Sequence, residues 1–231
     1  MQPVRILIIG GTSGFGAAVA TKAAAKGWHV HVIGRDPVRL HEFLETHPGI
    51  AGSTLDANNT SALQAYFARH ADYTHLVSML GGAMAGGFLD SSLATIREAI
   101  EQKFFVNLQL AQIAASHITS TLTFTSGSGG HPHDASGAII GNQAINTMVQ
   151  GLAVELAPAK RVNAVSPTWT PTGLWRGLSS SARDDQAKAF SQAVPLKRVA
   201  RVDEVASGYL YLMQNQFITG QVLRIDGGVD L

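Results

Sequence analysis

Residues 5–16 read RILIIGGTSGFG, and this stretch decides the fold. An apolar run suited to a buried strand ends in a glycine-rich turn, and a helical pattern follows it. A turn in this position directs the free N–H groups of a helix N-terminus at a pyrophosphate. Gly10 permits the tight turn, Gly14 the close approach of a phosphate, and Gly16 the contact between helix and strand. The stretch therefore predicts a dinucleotide-binding turn, with an ordinary strand-to-helix turn as the alternative.

Strand and helix signals alternate along the rest of the chain. Each apolar run except the last is followed by a helical pattern, as expected when parallel strands are covered by helices on both faces. The predicted strands cover residues 5–9, 29–33, 51–55, 75–79, 120–125, 161–165 and 222–225, and long helices are expected over residues 91–117 and 139–157. The prediction is one α/β domain over residues 1–231, a doubly wound seven-stranded parallel sheet flanked by helices.

Composition excludes several classes of protein. The chain has 231 residues and no cysteine, so thiolate metal sites and a cysteine nucleophile are ruled out. Its 17 basic and 16 acidic residues leave no basic patch for nucleic acid, and no nucleic-acid partner is expected. Without an apolar stretch of about 20 residues or a secretory signal, the sequence predicts no membrane span and a cytoplasmic protein.

The end of the second predicted strand selects between two dinucleotides. A site for NAD usually places a carboxylate at this strand tip to bind the ribose 2′-hydroxyl, whereas a 2′-phosphate needs a cation. Gly34 occupies the tip and Arg35 follows it. A guanidinium offers a forked, charged contact to phosphate, which favours NADP(H). The alternative is that Arg35 is a solvated surface residue, and Asp36 is expected to be the N-cap of the next helix, before Pro37.

Several further motifs extend the pattern over the whole chain. They are Leu55-Asp56, the run FVNL at residues 105–108, LAVELAP at 152–158, RVNAVSP at 161–167, and the segment from Ile218 to Gly228. Together with the glycine-rich turn, they resemble the short-chain dehydrogenase/reductase family. The resemblance implies a Rossmann-type domain, an adenine contact at Asp56, an active-site asparagine at Asn107, and a homodimer or homotetramer paired through the two long helices.

The resemblance also assigns the cofactor contacts. SMLG at residues 78–81 replaces the family's usual Asn-Asn-Ala-Gly, and Thr168 replaces a glycine after Pro167, while Thr172 keeps the place of a threonine that contacts the nicotinamide carboxamide. The predicted cofactor-binding residues are Gly10, Thr12, Ser13, Gly14, Phe15, Gly16, Arg35, Asp56, Leu80, Gly81, Asn142, Pro167, Thr168 and Thr172.

The family's catalytic tyrosine and lysine are absent. Counting back from Leu152 places Ala138 at the tyrosine position and Asn142 at the lysine position. No other register restores the motif, because the chain's tyrosines lie at positions 66, 73, 209 and 211. The family's serine is retained as Ser126, although Thr125 and Ser128 are close enough to be confused with it.

Loss of the tyrosine removes a general acid, which is typically worth a factor of about 10²–10⁴ in rate. Positioning of a hydride donor is a separate contribution and remains intact. The sequence therefore predicts an NADP(H)-dependent oxidoreductase whose acceptor needs no tyrosine acid, either an imine or iminium or a conjugated enone. Ser126 is expected to donate a hydrogen bond to the acceptor, and Asn142 to hold the ribose. The alternative is a nucleotide-binding protein without redox turnover, either a regulator or an isomerase or cyclase.

Two loops carry further candidates. His133, or its neighbour His131, is a candidate for a substitute general acid. The alternative is that both histidines are solvated in a surface loop. As metal ligands the two histidines lack a third ligand, so no metal site is predicted. Residues 167–202 form a long irregular stretch that is interpreted as a lid. Its Trp169, Leu174 and Trp175 either close over an apolar or aromatic small-molecule substrate or anchor the lid to the sheet.

Overall fold

Seven parallel strands form one sheet in the order β3-β2-β1-β4-β5-β6-β7 in the computed structural model, which describes residues 3–82 and 85–231. The first two residues of the predicted domain lie outside the described residues. The strands are β1 (Arg5–Ile9), β2 (His29–Gly34), β3 (Ala51–Thr54), β4 (Tyr73–Ser78), β5 (Ile118–Thr125), β6 (Arg161–Pro167) and β7 (Val222–Ile225). The predicted doubly wound α/β fold is confirmed, and each predicted strand overlaps an observed one to within two residues at either end.

Eight α-helices cover the two faces of the sheet in the described part of the chain. They are α1 (Gly14–Ala25), α2 (Pro37–Thr46), α3 (Thr60–Arg69), α4 (Leu93–Ile100), α5 (Val106–Ala114), α6 (Ser136–Glu155), α7 (Ser180–Ala193) and α8 (Val202–Gln214). Alternate residues of β1 point to opposite faces: Leu7 and Ile9 pack with α3, α5 and α6, whereas Ile6 and Ile8 pack with α1, α2 and α8. Burial on both faces explains why the central strands are continuous apolar runs.

The direction of winding reverses between β1 and β4, which are neighbours in the sheet. In such sheets a crevice opens beyond the carboxyl ends of the strands at this reversal, and ligands bind there. The glycine-rich turn after β1 and the turn after β4 both lie at this edge. The topology therefore places the candidate residues around one crevice.

Two sequence-based expectations need correction. The helix expected over residues 91–117 begins at Leu93 and is interrupted by a π-helical segment, Glu101–Phe105, between α4 and α5, and it ends in a 3₁₀ turn, Ala115–His117. The stretch 167–202, expected to be irregular, contains a 3₁₀ turn, Gly173–Trp175, and the whole of α7. The sequence signal for α7 is weak because none of its residues is buried. None of the described helices has the length and apolar character needed to cross a membrane.

Candidate active site

The glycine-rich turn has the geometry of an anion-binding site. Gly10 and Gly14 have φ angles of +81° and +52°, in the left-handed region that favours glycine. A Cβ atom on Gly16 would overlap the carbonyl oxygen of Gly10, so the turn closes this tightly only with glycine there. Ser13, the N-cap of α1, forms no side-chain capping hydrogen bond. The N-terminal N–H groups of α1 are therefore available to a ligand, as a phosphate-binding turn requires.

The segment interpreted as a lid, residues 167–202, begins beside this turn. The Cβ of Thr172 lies 3.1 Å from the position that a Cβ on Gly14 would take. The guanidinium of Arg176 donates a hydrogen bond of 3.4 Å to the hydroxyl of Ser13. Thr172 thus lies beside the turn, and Arg176 adds an exposed positive charge there. The sequence analysis missed Arg176, since its segment of the chain carries no recognisable motif.

Arg35 is exposed just beyond β2. Asp36 accepts hydrogen bonds from the backbone N–H groups of Val38 and Arg39, which confirms it as the N-cap of α2 and holds the pKa of its carboxyl below the usual range. The side chain of Arg39 pairs with Asp36 at 3.1 Å. Two arginines therefore stand at this strand end, and the second, Arg39, was not foreseen, although it lies just one turn into the helix after Arg35.

Asp56 is exposed after β3, at the same edge of the sheet. One of its carboxylate oxygens accepts hydrogen bonds from the backbone and side chain of Asn58, at 3.0 and 2.7 Å. None of the described residues donates a hydrogen bond to its other oxygen. The adenine contact that the family resemblance implies for Asp56 stays a prediction.

Asn107 is fully buried and holds the turn after β4 in place. Its amide oxygen accepts a 2.6 Å hydrogen bond from Ser78, and its amide nitrogen donates to the carbonyl oxygens of Leu80 and Lys103, at 3.3 and 2.6 Å. An amide with these bonds does not reach a substrate. The structure therefore assigns Asn107 a positioning role, in which it shapes the backbone around the site.

Ser126 follows β5 and faces α6. Its hydroxyl donates toward the side-chain oxygen of Asn146 at 2.7 Å and the carbonyl oxygen of Asn142 at 3.2 Å, and the residue is 4% exposed. Ser126 must therefore release a bond to α6 before it donates to a substrate. The amide of Asn142 packs against Gly127 and forms no side-chain hydrogen bond to the described residues. Ala138 is partly exposed one turn earlier on α6.

Lys103, which sequence reasoning missed, lies beside these residues. It sits in the middle of the π-helical segment, is 8% exposed, and donates a 3.3 Å hydrogen bond to the carbonyl oxygen of Ser126. Burial lowers the pKa of its ammonium to about 8. The available signal was a lysine one turn before Asn107 on the otherwise apolar side of a helix, and π-helical insertions often mark functional sites.

The side chains of the two loop histidines form no hydrogen bond to Ser126, Asn142 or Lys103. His131 and His133 are both exposed, and their rings stack with centroids 5.5 Å apart. The side chain of His133 forms no hydrogen bond within residues 3–82 and 85–231. Across those residues, no group of three or more histidine, aspartate or glutamate side chains is arranged to hold a metal ion.

The candidate side chains in the segment 167–202 differ in burial. Trp169 is 5% exposed and stacks between Trp175 and Phe190, with ring centroids 5.8 and 5.9 Å away. Both partners belong to the same segment, so Trp169 holds α7 and the 3₁₀ turn together, whereas Leu174 is half exposed. Thr168 is buried with its hydroxyl facing Gly129.

Pro167 is the last residue of β6, and its carbonyl oxygen accepts a 2.9 Å hydrogen bond from the backbone of Ser128. The hydroxyl of Ser128 in turn pairs with that of Ser166 at 2.6 Å. Ser128 is thus bound to β6, whereas Ser126 faces α6 and Lys103. Of the two serines, Ser126 is the one that contacts α6, through Asn142 and Asn146.

Comparison with known proteins agrees with this geometry. A family model described as enoyl-(acyl carrier protein) reductase matches residues 10–230. The short-chain dehydrogenase/reductase ATR9 of Stachybotrys chlorohalonatus is 32% identical, with 98% of this chain and 96% of the relative covered. A small-chain dehydrogenase solved in complex with NADPH is 27% identical with a TM-score of 0.82, and 99% of each chain is covered. The MalC Reductase/Diels-Alderase from Malbranchea aurantiaca is 27% identical with a TM-score of 0.87, with 99% of this chain and 96% of that chain covered.

The match extends over nearly the whole chain, and the fold is the one that the resemblance implied. The chain belongs to the short-chain dehydrogenase/reductase family of nicotinamide-dependent oxidoreductases.

Proposed function

We propose that this protein is an NADP(H)-dependent oxidoreductase that transfers hydride to a small molecule whose reduction needs no tyrosine acid. The acceptor is an imine or iminium, or a conjugated enone. The proposal rests on the combination of two features. The glycine-rich turn leaves the N–H groups of α1 free for a phosphate, and Ala138 and Asn142 lie on α6 at the positions where the family has its tyrosine and lysine. The site thus keeps the means to hold a dinucleotide and lacks the usual proton source.

The residues of the crevice fit an NADP(H) molecule. The N–H groups at the start of α1 suit the pyrophosphate, and Arg35 and Arg39 suit the 2′-phosphate because a guanidinium binds phosphate through two parallel hydrogen bonds. Asp56 suits the adenine end. The NADPH in the 27% identical relative supports this choice of cofactor. When bound, the reduced nicotinamide supplies the hydride.

The remaining polar groups act on the nicotinamide end and on the acceptor. The amide of Asn142, which forms no side-chain hydrogen bond to the described residues, would bind ribose hydroxyls, and Thr172 lies beside the turn at Gly14. Ser126 offers one hydroxyl to the acceptor after it exchanges its bond to Asn146. The small side chain of Ala138 leaves room for a bulkier substrate than a tyrosine would.

The chemistry of the acceptor follows from the missing acid. A positioned general acid contributes about 10²–10⁴ in rate, or roughly 3–5 kcal/mol of barrier, whereas positioning contributes up to about 7–11 kcal/mol. An iminium becomes a neutral amine when it accepts hydride, and an enone becomes a delocalised enolate that is protonated later. Such acceptors lose least from the absence of the tyrosine, and simple ketones lose most.

A second candidate function is cyclisation or isomerisation in the same pocket without net redox chemistry. The observation that favours it is the name of the relative from Malbranchea aurantiaca, a Reductase/Diels-Alderase with the same fold. Under this alternative the dinucleotide shapes the pocket and is not consumed.

We further propose that the protein forms a homodimer or homotetramer. The family resemblance implies pairing through the helices at 91–117 and 139–157. Apolar side chains on these helices support it, since Phe105, Ile140 and Val154 are 49%, 37% and 79% exposed. Sedimentation of the purified protein tests the subunit count, and a monomer at all concentrations would contradict it.

Two measurements test the redox proposal. Binding titrations should show tighter binding of NADPH than of NADH, and Arg35→Ala should weaken NADPH binding while leaving NADH binding unchanged. Consumption of NADPH is then followed with a cyclic imine, a cyclic enone and a simple ketone, with Ser126→Ala as the variant. Rapid reduction of the simple ketone would refute the acceptor class, and substrate conversion without NADPH consumption would favour cyclisation or isomerisation.

A further inference from the structure

Lys103 places a buried ammonium between the turn after β4 and the end of β5. Its side chain passes Gly81, where a Cβ would lie 2.6 Å from the lysine Cδ and 3.0 Å from Nζ. The base of the side chain packs against Gly141 of α6, where a Cβ would lie 2.8 Å from the lysine Cβ. Two glycines from distant parts of the chain therefore leave the space through which the lysine reaches Ser126.

The ammonium of Lys103 forms fewer hydrogen bonds than it has N–H groups. It has three N–H groups, and among the described residues only the carbonyl oxygen of Ser126 accepts one of them, at 3.3 Å. A buried cation without such partners is costly, so the arrangement requires a reason beyond packing. An acceptor group supplied by a bound ligand would satisfy the free N–H groups.

No carboxylate of the described residues neutralises this charge. The strand β5 and the helix α5 carry no charged side chain, and α6 carries one at its last residue, Glu155. On the neighbouring α4 and π-helical segment, Glu98 and Glu101 are exposed, and Glu98 accepts a hydrogen bond from Gln102. Desolvation alone accounts for the lowered pKa of Lys103. The lysine is thus an unpaired positive charge beside Ser126.

We propose that the ammonium of Lys103 binds the oxygen of the hydride acceptor and gives it a proton, so that the substrate is a neutral conjugated carbonyl compound and not an iminium cation. This inference rests on the proposed redox function and narrows it. A cation beside the reacting atoms stabilises the negative charge that develops on an enone oxygen. The same cation repels an iminium, which is positively charged before hydride arrives.

The reaction balances with the groups named. Hydride forms a new C–H bond at the β-carbon of the enone, and the electron pair of the C=C bond moves toward the carbonyl oxygen as the dinucleotide is oxidised. Lys103 breaks one N–H bond and gives the proton to that oxygen, which forms an enol and a neutral amine. The enol then becomes the saturated carbonyl compound in water, and the amine recovers a proton from water.

Binding of an enolate mimic tests the inference without turnover. The probe is 4-nitrophenolate, titrated into the protein saturated with NADP⁺ and followed by the absorbance of the phenolate. We expect Lys103→Met to weaken its binding by about 10- to 100-fold, because a hydrogen bond to a charged group is lost, and Lys103→Arg to retain part of it. Lys26→Met, at an exposed lysine at the end of α1, is the control and should bind the probe as the unmodified protein does.

Nuclear magnetic resonance of the side-chain nitrogens of the six lysines supplies a second readout on the unmodified protein. The Lys103 resonance should titrate at lower pH than the others and should shift when 4-nitrophenolate binds. Unchanged phenolate binding in Lys103→Met, or an unshifted Lys103 resonance in the complex, would overturn the inference while leaving NADP⁺ binding intact. Failure of NADP(H) to bind at all would instead overturn the proposed function.

Discussion

Replacement of Lys103 by methionine should stabilise the protein at neutral pH. Methionine has a similar length and removes a buried charge from surroundings that do not neutralise it. Burial lowers the pKa of Lys103 from 10.5 to about 8, which corresponds to about 3 kcal/mol against the charged form in the folded state. A gain of that size would raise the melting temperature by about 6–12 °C in a chain of this length.

The stability gained by Lys103→Met depends on pH, because the pKa of the lysine differs between the unfolded chain and the folded protein. Between pH 8 and 10.5 the unfolded chain keeps the lysine proton and the folded protein has lost it, so the unmodified protein gains stability as pH rises through this range. Below pH 8 both states bind the proton, and the full penalty remains. The advantage of Lys103→Met should therefore be largest at neutral pH and should vanish near pH 10.5.

Urea unfolding of both proteins at neutral pH and at about pH 10 measures this difference. Lys26→Met, in which an exposed lysine is replaced, should show no gain at either pH. If Lys103→Met and the unmodified protein differ in stability by the same amount at both pH values, the conclusion that a buried ammonium destabilises the folded protein is refuted. A gain in stability that accompanies weaker phenolate binding would indicate that Lys103 is kept for function, since sites that bind substrates often sacrifice stability.

Three further predictions concern other residues. Gly16→Ala should abolish NADPH binding, measured by titration, because its Cβ would overlap the Gly10 carbonyl oxygen and force the turn open; unimpaired binding would contradict the phosphate-binding turn. Arg35→Ala should lower the preference for NADPH over NADH by about 10- to 100-fold in the same titration, since a charge-assisted contact is lost, and an unchanged preference would assign the 2′-phosphate to other groups. His75 is 5% exposed, bonded to Thr121 at 2.8 Å, and burial lowers its pKa to about 4. The free energy of unfolding should therefore fall as pH falls from 6.5 toward 4, and His75→Gln should reduce this loss in urea unfolding. If the free energy of unfolding falls equally with pH in both proteins, His75 is not its source.

Most of the fold was predictable because its signals are local. The strands of a doubly wound sheet are buried on both faces, so runs such as Ile6 to Ile9 stand out without any knowledge of their neighbours. The N-cap at Asp36 is likewise a contact between residues two and three positions apart. The weak point was α7, which lies in the lid and has no buried face to leave a pattern.

The residues predicted for the cofactor end of the site also depend mostly on local signals. The glycines of the turn are required by the backbone itself, and Arg35 lies next to a strand that the sequence marks clearly. Arg176 was not predictable, because it reaches Ser13 from a position 163 residues away along the chain. Its contact depends on how the lid folds back over the turn.

The sequence by itself determined the sheet and the glycine-rich turn, and it predicted a site without the family's tyrosine and lysine, because each of these depends on residue types at fixed short spacings. Only the tertiary structure decided what lies beside Ser126. Asn107 draws the π-helical backbone toward the turn after β4, and Gly81 and Gly141 leave the space through which Lys103 reaches Ser126. These contacts join four segments that are far apart in the chain, and the burial that lowers the lysine pKa exists only after the segments have packed together.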